Sequence, residues 1–102
     1  MLPKLPSAID TIVGGLVNTF KANKSIKDFL SDFTDATVKW VRPLFLKNDD
    51  TPQKALEALQ EAPDDATLQD KLKGIIEFKA DENEALAKIL QEMAKMIEEK
   101  MG

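Results

Sequence analysis

Apolar residues recur at helical spacing along almost the whole chain, and this periodicity constrains the fold more than any other feature. In the first such segment Ile9, Ile12, Val13, Leu16 and Val17 fall on one face of a helix. No segment alternates apolar and polar residues for long enough to indicate a strand. The sequence therefore predicts an all-α protein.

Capping residues and prolines divide the pattern into helices. Ser7 and Ser25 each precede an Asp by three residues, which is the spacing of a capping box, and Asp81 with Glu84 forms a third such pair. Pro43 is expected to end the second helix near residue 41 or to kink it. We expect a single compact bundle in one domain, 1–102, with about five helices at 8–22, 25–41, 52–62, 65–80 and 82–101.

The composition leaves little catalytic chemistry. The chain has no Cys and no His, and it has three Ser and no Tyr. Disulfides, Cys-based zinc sites and most nucleophile–base pairs are therefore excluded. Ser7 and Ser25 are explained by capping, and Ser31 is placed on a polar face. We expect no enzyme activity, no catalytic residues and no cofactor.

Acidic pairs at 49–50 and 64–65 invite a metal-binding interpretation. Neither pair has the alternating ligand spacing of an EF-hand loop. Both precede predicted helices, where the helix dipole favours negative charge. We therefore predict no metal site.

The sequence contains no targeting or membrane-spanning segment. The apolar stretch 9–17 is interrupted by Asp10 and by Gly14-Gly15, and no cleavage site of small residues follows it. No run approaches the roughly 18 apolar residues of a membrane span. We expect a cytoplasmic protein that is complete from its first residue to its last.

Charge is distributed unevenly between the two halves. Residues 1–47 carry seven Lys or Arg against four Asp, whereas residues 48–102 carry seven Lys against fourteen Asp or Glu. The halves therefore have net charges of +3 and −7. A basic surface of one molecule could dock on the acidic surface of another, a head-to-tail contact that propagates. The candidate residues are Lys24, Lys27, Arg42, Asp64, Asp65 and Asp70.

Nucleic-acid binding is not expected. Several cations lie around the first two helices with Phe20 and Trp40 nearby, a combination that could hold a single strand. However, Phe20 and Trp40 both lie on apolar stripes and should be buried, and three Asp residues alternate with the cations.

The outward face of the first helix is unusual because it lacks charge. It contains Thr11, Gly14, Gly15 and Asn18, whereas a helix facing only water normally carries Lys and Glu. Small residues at this spacing allow another backbone to approach closely. The face either packs within the same chain or contacts a second chain or a lipid surface.

Short Leu and Pro-Asp-Asp spacings recur across 55–93. They are carried by the runs Ala55-Leu56-Glu57-Ala58-Leu59, Pro63-Asp64-Asp65, Leu68-Gln69-Asp70-Lys71-Leu72 and Asn83-Glu84-Ala85-Leu86-Ala87. This pattern resembles the small helical effector-associated and adaptor domains, similar to death folds, of bacterial conflict systems with STAND-type NTPases. The resemblance implies a role in bacterial defence that recruits a partner by helix-to-helix contact, like with like. It carries over no functional residues.

Three functional hypotheses follow. The first is a non-enzymatic adaptor that acts by helix-mediated, homotypic contacts and forms a homo-oligomer. The second is a small acidic inhibitor or immunity protein that covers a basic partner with Asp64, Asp65 and Asp70. The third is association of the first helix with a membrane surface, through Ile12 and Leu16.

Overall fold

Six α-helices make up the regular structure of residues 2–101, which the computed structural model describes, with only the backbone of Met101. The six are α1 (Leu5–Lys21), α2 (Ile26–Leu30), α3 (Asp35–Phe45), α4 (Lys54–Glu61), α5 (Ala66–Asp81) and α6 (Glu84–Met101). The predicted all-α fold is confirmed, with six helices in place of five.

The first helix begins three residues before its predicted start. Lys4 occupies the N-cap position, and Pro6 lies in the first turn, where a missing N–H costs no hydrogen bond. Ser7 therefore lies inside the helix and caps nothing. The capping box predicted for Ser7 and Asp10 was wrong.

The helix predicted over 25–41 is two helices. Ser25 and Asp28 form the predicted capping box at the start of α2, with the Asp28 carboxylate accepting from the Ser25 N–H at 2.9 Å. The hydroxyl of Ser31 then donates to the Asp28 carbonyl at 2.7 Å, and the Thr34 hydroxyl accepts from the Thr37 N–H to start α3. Apolar residues face the core on both sides of this break, so the periodicity did not reveal it.

Pro43 does not end α3 near residue 41, the first of its two predicted effects, because the helix continues through it to Phe45. A proline in the last turn removes only one hydrogen bond. The Gln53 side-chain amide donates to the carbonyls of Pro43 and Leu46, at 3.2 and 3.3 Å, and so ties the end of α3 to the start of α4. Between them Asp50 adopts a left-handed φ of 68°, which Asp tolerates better than most residues.

Short polar side chains start the last two helices. Asp65 accepts from two backbone N–H groups of α5, at 2.9 and 3.3 Å. Asn83 does the same for α6, at 3.1 and 3.2 Å. Since Asp81 is the last residue of α5, the capping pair predicted for Asp81 and Glu84 was wrong.

The buried apolar side chains form one cluster around α1, which contacts α2, α4, α5 and α6. Phe29 packs edge-on against both Phe33 and Phe45, at centroid distances of 5.3 and 6.3 Å. The amide of Gln91 in α6 donates to the Pro3 carbonyl at 2.9 Å, which holds the amino-terminal end of the chain on the bundle. The buried side of α1 consists of Ala8, Ile9, Ile12, Val13, Leu16, Val17 and Phe20.

Candidate functional site

One line along the exposed side of α1 consists of small uncharged residues, and beside it lie Asp10 and Lys21, which pair with Lys73 and Asp64. Ser7, Gly14 and Asn18 are exposed and Thr11 is half-buried, and their spacing places them along one line of the helix surface. A Cβ atom placed on Gly14 would have no neighbour within 4 Å. We call these four residues the α1 strip. The open space at Gly14 leaves room for the backbone of another helix to approach it.

The two adjacent glycines of α1 have different surroundings. A Cβ on Gly15 would lie 3.1 Å from Cε1 of Phe29 and 3.5 Å from Cδ1 of Ile97, so α2 and α6 approach α1 closely at this point. The Thr19 hydroxyl donates to the Gly15 carbonyl at 2.9 Å. Gly15 therefore serves packing within the chain, whereas Gly14 faces outward.

A cleft of about 470 Å³ runs beside the α1 strip, between α1, α2 and α6. Asn18 belongs to both the strip and the cleft. A salt bridge of 2.7 Å between Lys100 and Asp32 lies at the cleft's edge. Its apolar lining is provided by Phe29, Phe33, Met96 and Ile97.

A second apolar surface lies between α3, α4 and α5, and the sequence did not predict it. Leu44 and Ile75 line a groove of about 340 Å³ there. Trp40 and Phe78, which neighbour these two residues on α3 and α5, are 46% and 61% exposed. We call the groove with its flanking aromatic residues the α3–α5 groove.

Trp40 was expected in the core and lies outside it, as does Ile75. The buried line of α3 runs through Thr37, Val41 and Phe45, each four residues apart, and Trp40 is displaced from it by about a quarter turn. Ile75 is 38% exposed because it has the same displacement from the line of Leu72 and Ile76. In both helices the buried residues are four residues apart, and this spacing is the sequence signal that distinguishes them from Trp40 and Ile75.

Most of the charged residues proposed for intermolecular contact are paired within the chain. Arg42 and Lys27 both form salt bridges with Asp50. Lys21 meets Asp64 at 2.8 Å. Further pairs join Lys73 to Asp10 and Asp70, while Asp65 caps α5 and Lys24 is exposed.

Four of these five pairs connect the first half of the chain to the second, and the pair of Lys73 with Asp70 lies within the second half. The two halves of the chain therefore meet at these charged residues in the folded molecule. Exposed ion pairs of this kind contribute about 0–1 kcal/mol each, so their main effect is on the distribution of charge.

The titratable groups with displaced pKa values belong to caps and turns. Hydrogen bonds from the backbone N–H and the hydroxyl of Ser25 lower the pKa of Asp28. The hydroxyl and N–H of Thr51 lower the pKa of Asp49 in the turn before α4. Within residues 2–101, no group of three or more acidic side chains is arranged to hold a metal ion.

The apolar residues of α1 that the membrane hypothesis places against lipid are buried. Ile12 and Leu16 are both 0% exposed. In the described part of the chain, no helix has the length and apolar character needed to cross a membrane.

Comparison with family models, with curated proteins and with solved structures found no match to this chain. The resemblance to the adaptor domains of bacterial conflict systems therefore stays a prediction.

Proposed function

We propose that this chain is a non-enzymatic protein–protein interaction module that assembles with a second copy of itself through α1. The observation that carries the proposal is the α1 strip, a line of small uncharged residues along the exposed side of the helix, with open space around Gly14. A helix that faced only water would gain about 1 kcal/mol from Ala in place of this glycine.

A second α1 is the partner that this face suits best. Two copies of the same helix can cross at Gly14 about a two-fold axis, with the hydroxyl and amide groups of the strip meeting their counterparts. Small residues at such a crossing let the two backbones approach closely. The cleft beside the strip offers apolar surface to side chains at the margin of the contact.

The contact is expected to be weak and insensitive to salt. The strip extends about 17 Å along the helix, which is too short for the roughly 1,200 Å² of a stable interface. We therefore expect a dissociation constant on the order of 100 μM. Since the strip is uncharged, and Asp10 and Lys21 beside it are each paired within the chain, added salt should change the affinity little.

Analytical ultracentrifugation from ~10 μM to ~1 mM protein tests the proposal through two matched glycine variants. Gly14→Arg introduces a long side chain at the crossing point, and its folded monomer should be at least as stable as the parent because Arg favours the helix. Gly74→Arg makes the same change at another exposed helical glycine, on α5, which likewise has no neighbour within 4 Å.

We expect the parent chain and Gly74→Arg to associate equally and Gly14→Arg to remain monomeric. Association that is the same in all three proteins would place the contact elsewhere. A monomer throughout the range would contradict the proposal. Association that disappears on raising salt from ~50 to ~500 mM would favour the charged head-to-tail contact instead.

A further inference from the structure

The α3–α5 groove lies apart from the surface of α1 that the proposed self-association uses. The end of α3, the start of α4 and one side of α5 form its walls. Leu44 and Ile75 line the groove, and their helical neighbours Trp40 and Phe78 flank it. None belongs to the α1 strip or to the cleft beside it.

The aromatic residues that flank the groove are of types that are enriched in protein–protein interfaces. Trp40 extends the surface on the α3 side, four residues before Leu44, and Phe78 extends it on the α5 side, three residues after Ile75. Aromatic side chains, above all Trp, contribute strongly to binding when a partner covers them. Leaving Phe78 61% exposed without a partner keeps a large apolar area in water.

The charges of the groove have one sign. Lys54 and Lys79 are the charged residues among those lining it. Neither takes part in a salt bridge with any residue in the part of the chain that the structure describes. This distinguishes them from Lys21, Lys27, Lys73 and Lys100, whose side chains are paired.

We propose that the α3–α5 groove binds an acidic amphipathic helix of another protein. Apolar side chains three or four residues apart on that helix would cover Leu44 and Ile75, and its flanking carboxylates would pair with Lys54 and Lys79. A second copy of this chain fits less well, because a symmetric contact would bring the lysines of the two grooves together. An anionic membrane would meet a molecule with a net charge of −4.

The single tryptophan makes the binding directly measurable. Trp40 is the only Trp in the chain and is 46% exposed, so covering the groove should shift its fluorescence to shorter wavelength. The probe is a synthetic helix of about 18 residues with Leu at every third or fourth position and Glu beside it. The control is the same peptide with each Glu replaced by Lys.

The titration is made in the full chain carrying Gly14→Arg, so that its result does not depend on self-association. We expect the acidic peptide to bind with a blue shift that weakens as salt rises, and the basic peptide not to bind. Lys54→Glu and Lys79→Glu should each weaken binding by about tenfold. Lys88→Glu, the same change at an exposed site on α6, should leave binding unchanged.

Three results would overturn the proposal. One is that the acidic and basic peptides bind equally or that neither binds. Another is an equal effect of all three lysine variants, which would show that net charge alone matters. The third is a blue shift with phosphatidylserine vesicles but not with the acidic peptide, which would assign the groove to lipid.

Discussion

At the scale of single residues, three helical glycines that look alike in the sequence have different surroundings. Gly14 and Gly74 have open space where a Cβ would lie, whereas the Cβ of residue 15 would lie 3.1 Å from Phe29. We expect Gly14→Ala and Gly74→Ala to raise the free energy of unfolding by about 1 kcal/mol each. Gly15→Ala should gain less or lose stability, because the aromatic ring must move.

Urea unfolding of the three variants checks this order. Equal stabilisation by all three substitutions would contradict the close contact at Gly15.

Two aromatic residues of α3 should differ sharply in their contribution to stability. Phe45 is 0% exposed and packs against Phe29, whereas Trp40 is 46% exposed. Phe45→Ala should cost about 3–5 kcal/mol, since it leaves a cavity in the core. Trp40→Ala should cost about 1 kcal/mol or less.

Thermal or urea unfolding separates the two cases, and a cost for Trp40→Ala as large as for Phe45→Ala would place Trp40 in the core.

At the scale of helices, the capping box of α2 should depend on pH. The pKa of Asp28 lies below the ordinary 3.8 because Ser25 donates two hydrogen bonds to its carboxylate. A lowered pKa means that this contribution to stability is present above pH 3.8 and is lost as pH falls through the lower, folded-state value. Asp28→Asn should therefore be less stable than the parent at neutral pH and approach it in acid.

The measurement is the urea midpoint of both proteins at about pH 7 and about pH 2.5. Asp35→Asn, at the start of α3, provides a control in an exposed first-turn carboxylate. The same difference between parent and Asp28→Asn at both pH values would contradict the account.

Helix type was predictable from the sequence, and helix boundaries were less so. The apolar spacing of α1, α5 and α6 is long and regular, so the helices themselves were predicted. The break between α2 and α3 depends on Ser31 and Thr34, whose side chains hydrogen-bond to the backbone there but whose residue types occur inside helices as well. The cap at Asn83 was missed because Asp81 and Glu84 matched a better-known pattern.

At the scale of the whole molecule, part of the charge difference between the two halves is paired across them on folding. Salt bridges from Lys21 to Asp64, from Arg42 to Asp50 and from Lys100 to Asp32 join residues of one half to residues of the other. A sum of charges along the sequence cannot reveal such pairing, because it depends on which helices are neighbours. The line of small uncharged residues on α1 was visible in the sequence, since it needs only one helix.

The exposed aromatic residues show the same limit of prediction from the sequence. Trp40 and Phe78 belong to different helices, and residues of α3, α4 and α5 line the groove between them. The sequence could indicate that each of the two is displaced from its helix's buried line. It could not indicate which helices meet at the groove.

Self-association through α1 is best tested by a dilution series in which amide chemical shifts are followed in ¹H–¹⁵N NMR spectra. We expect the amide shifts of the α1 strip, at Ser7, Thr11, Gly14 and Asn18, to change with concentration. This dependence should be lost in Gly14→Arg. Spectra that do not change with concentration, or shifts confined to the α3–α5 groove, would contradict assembly through α1.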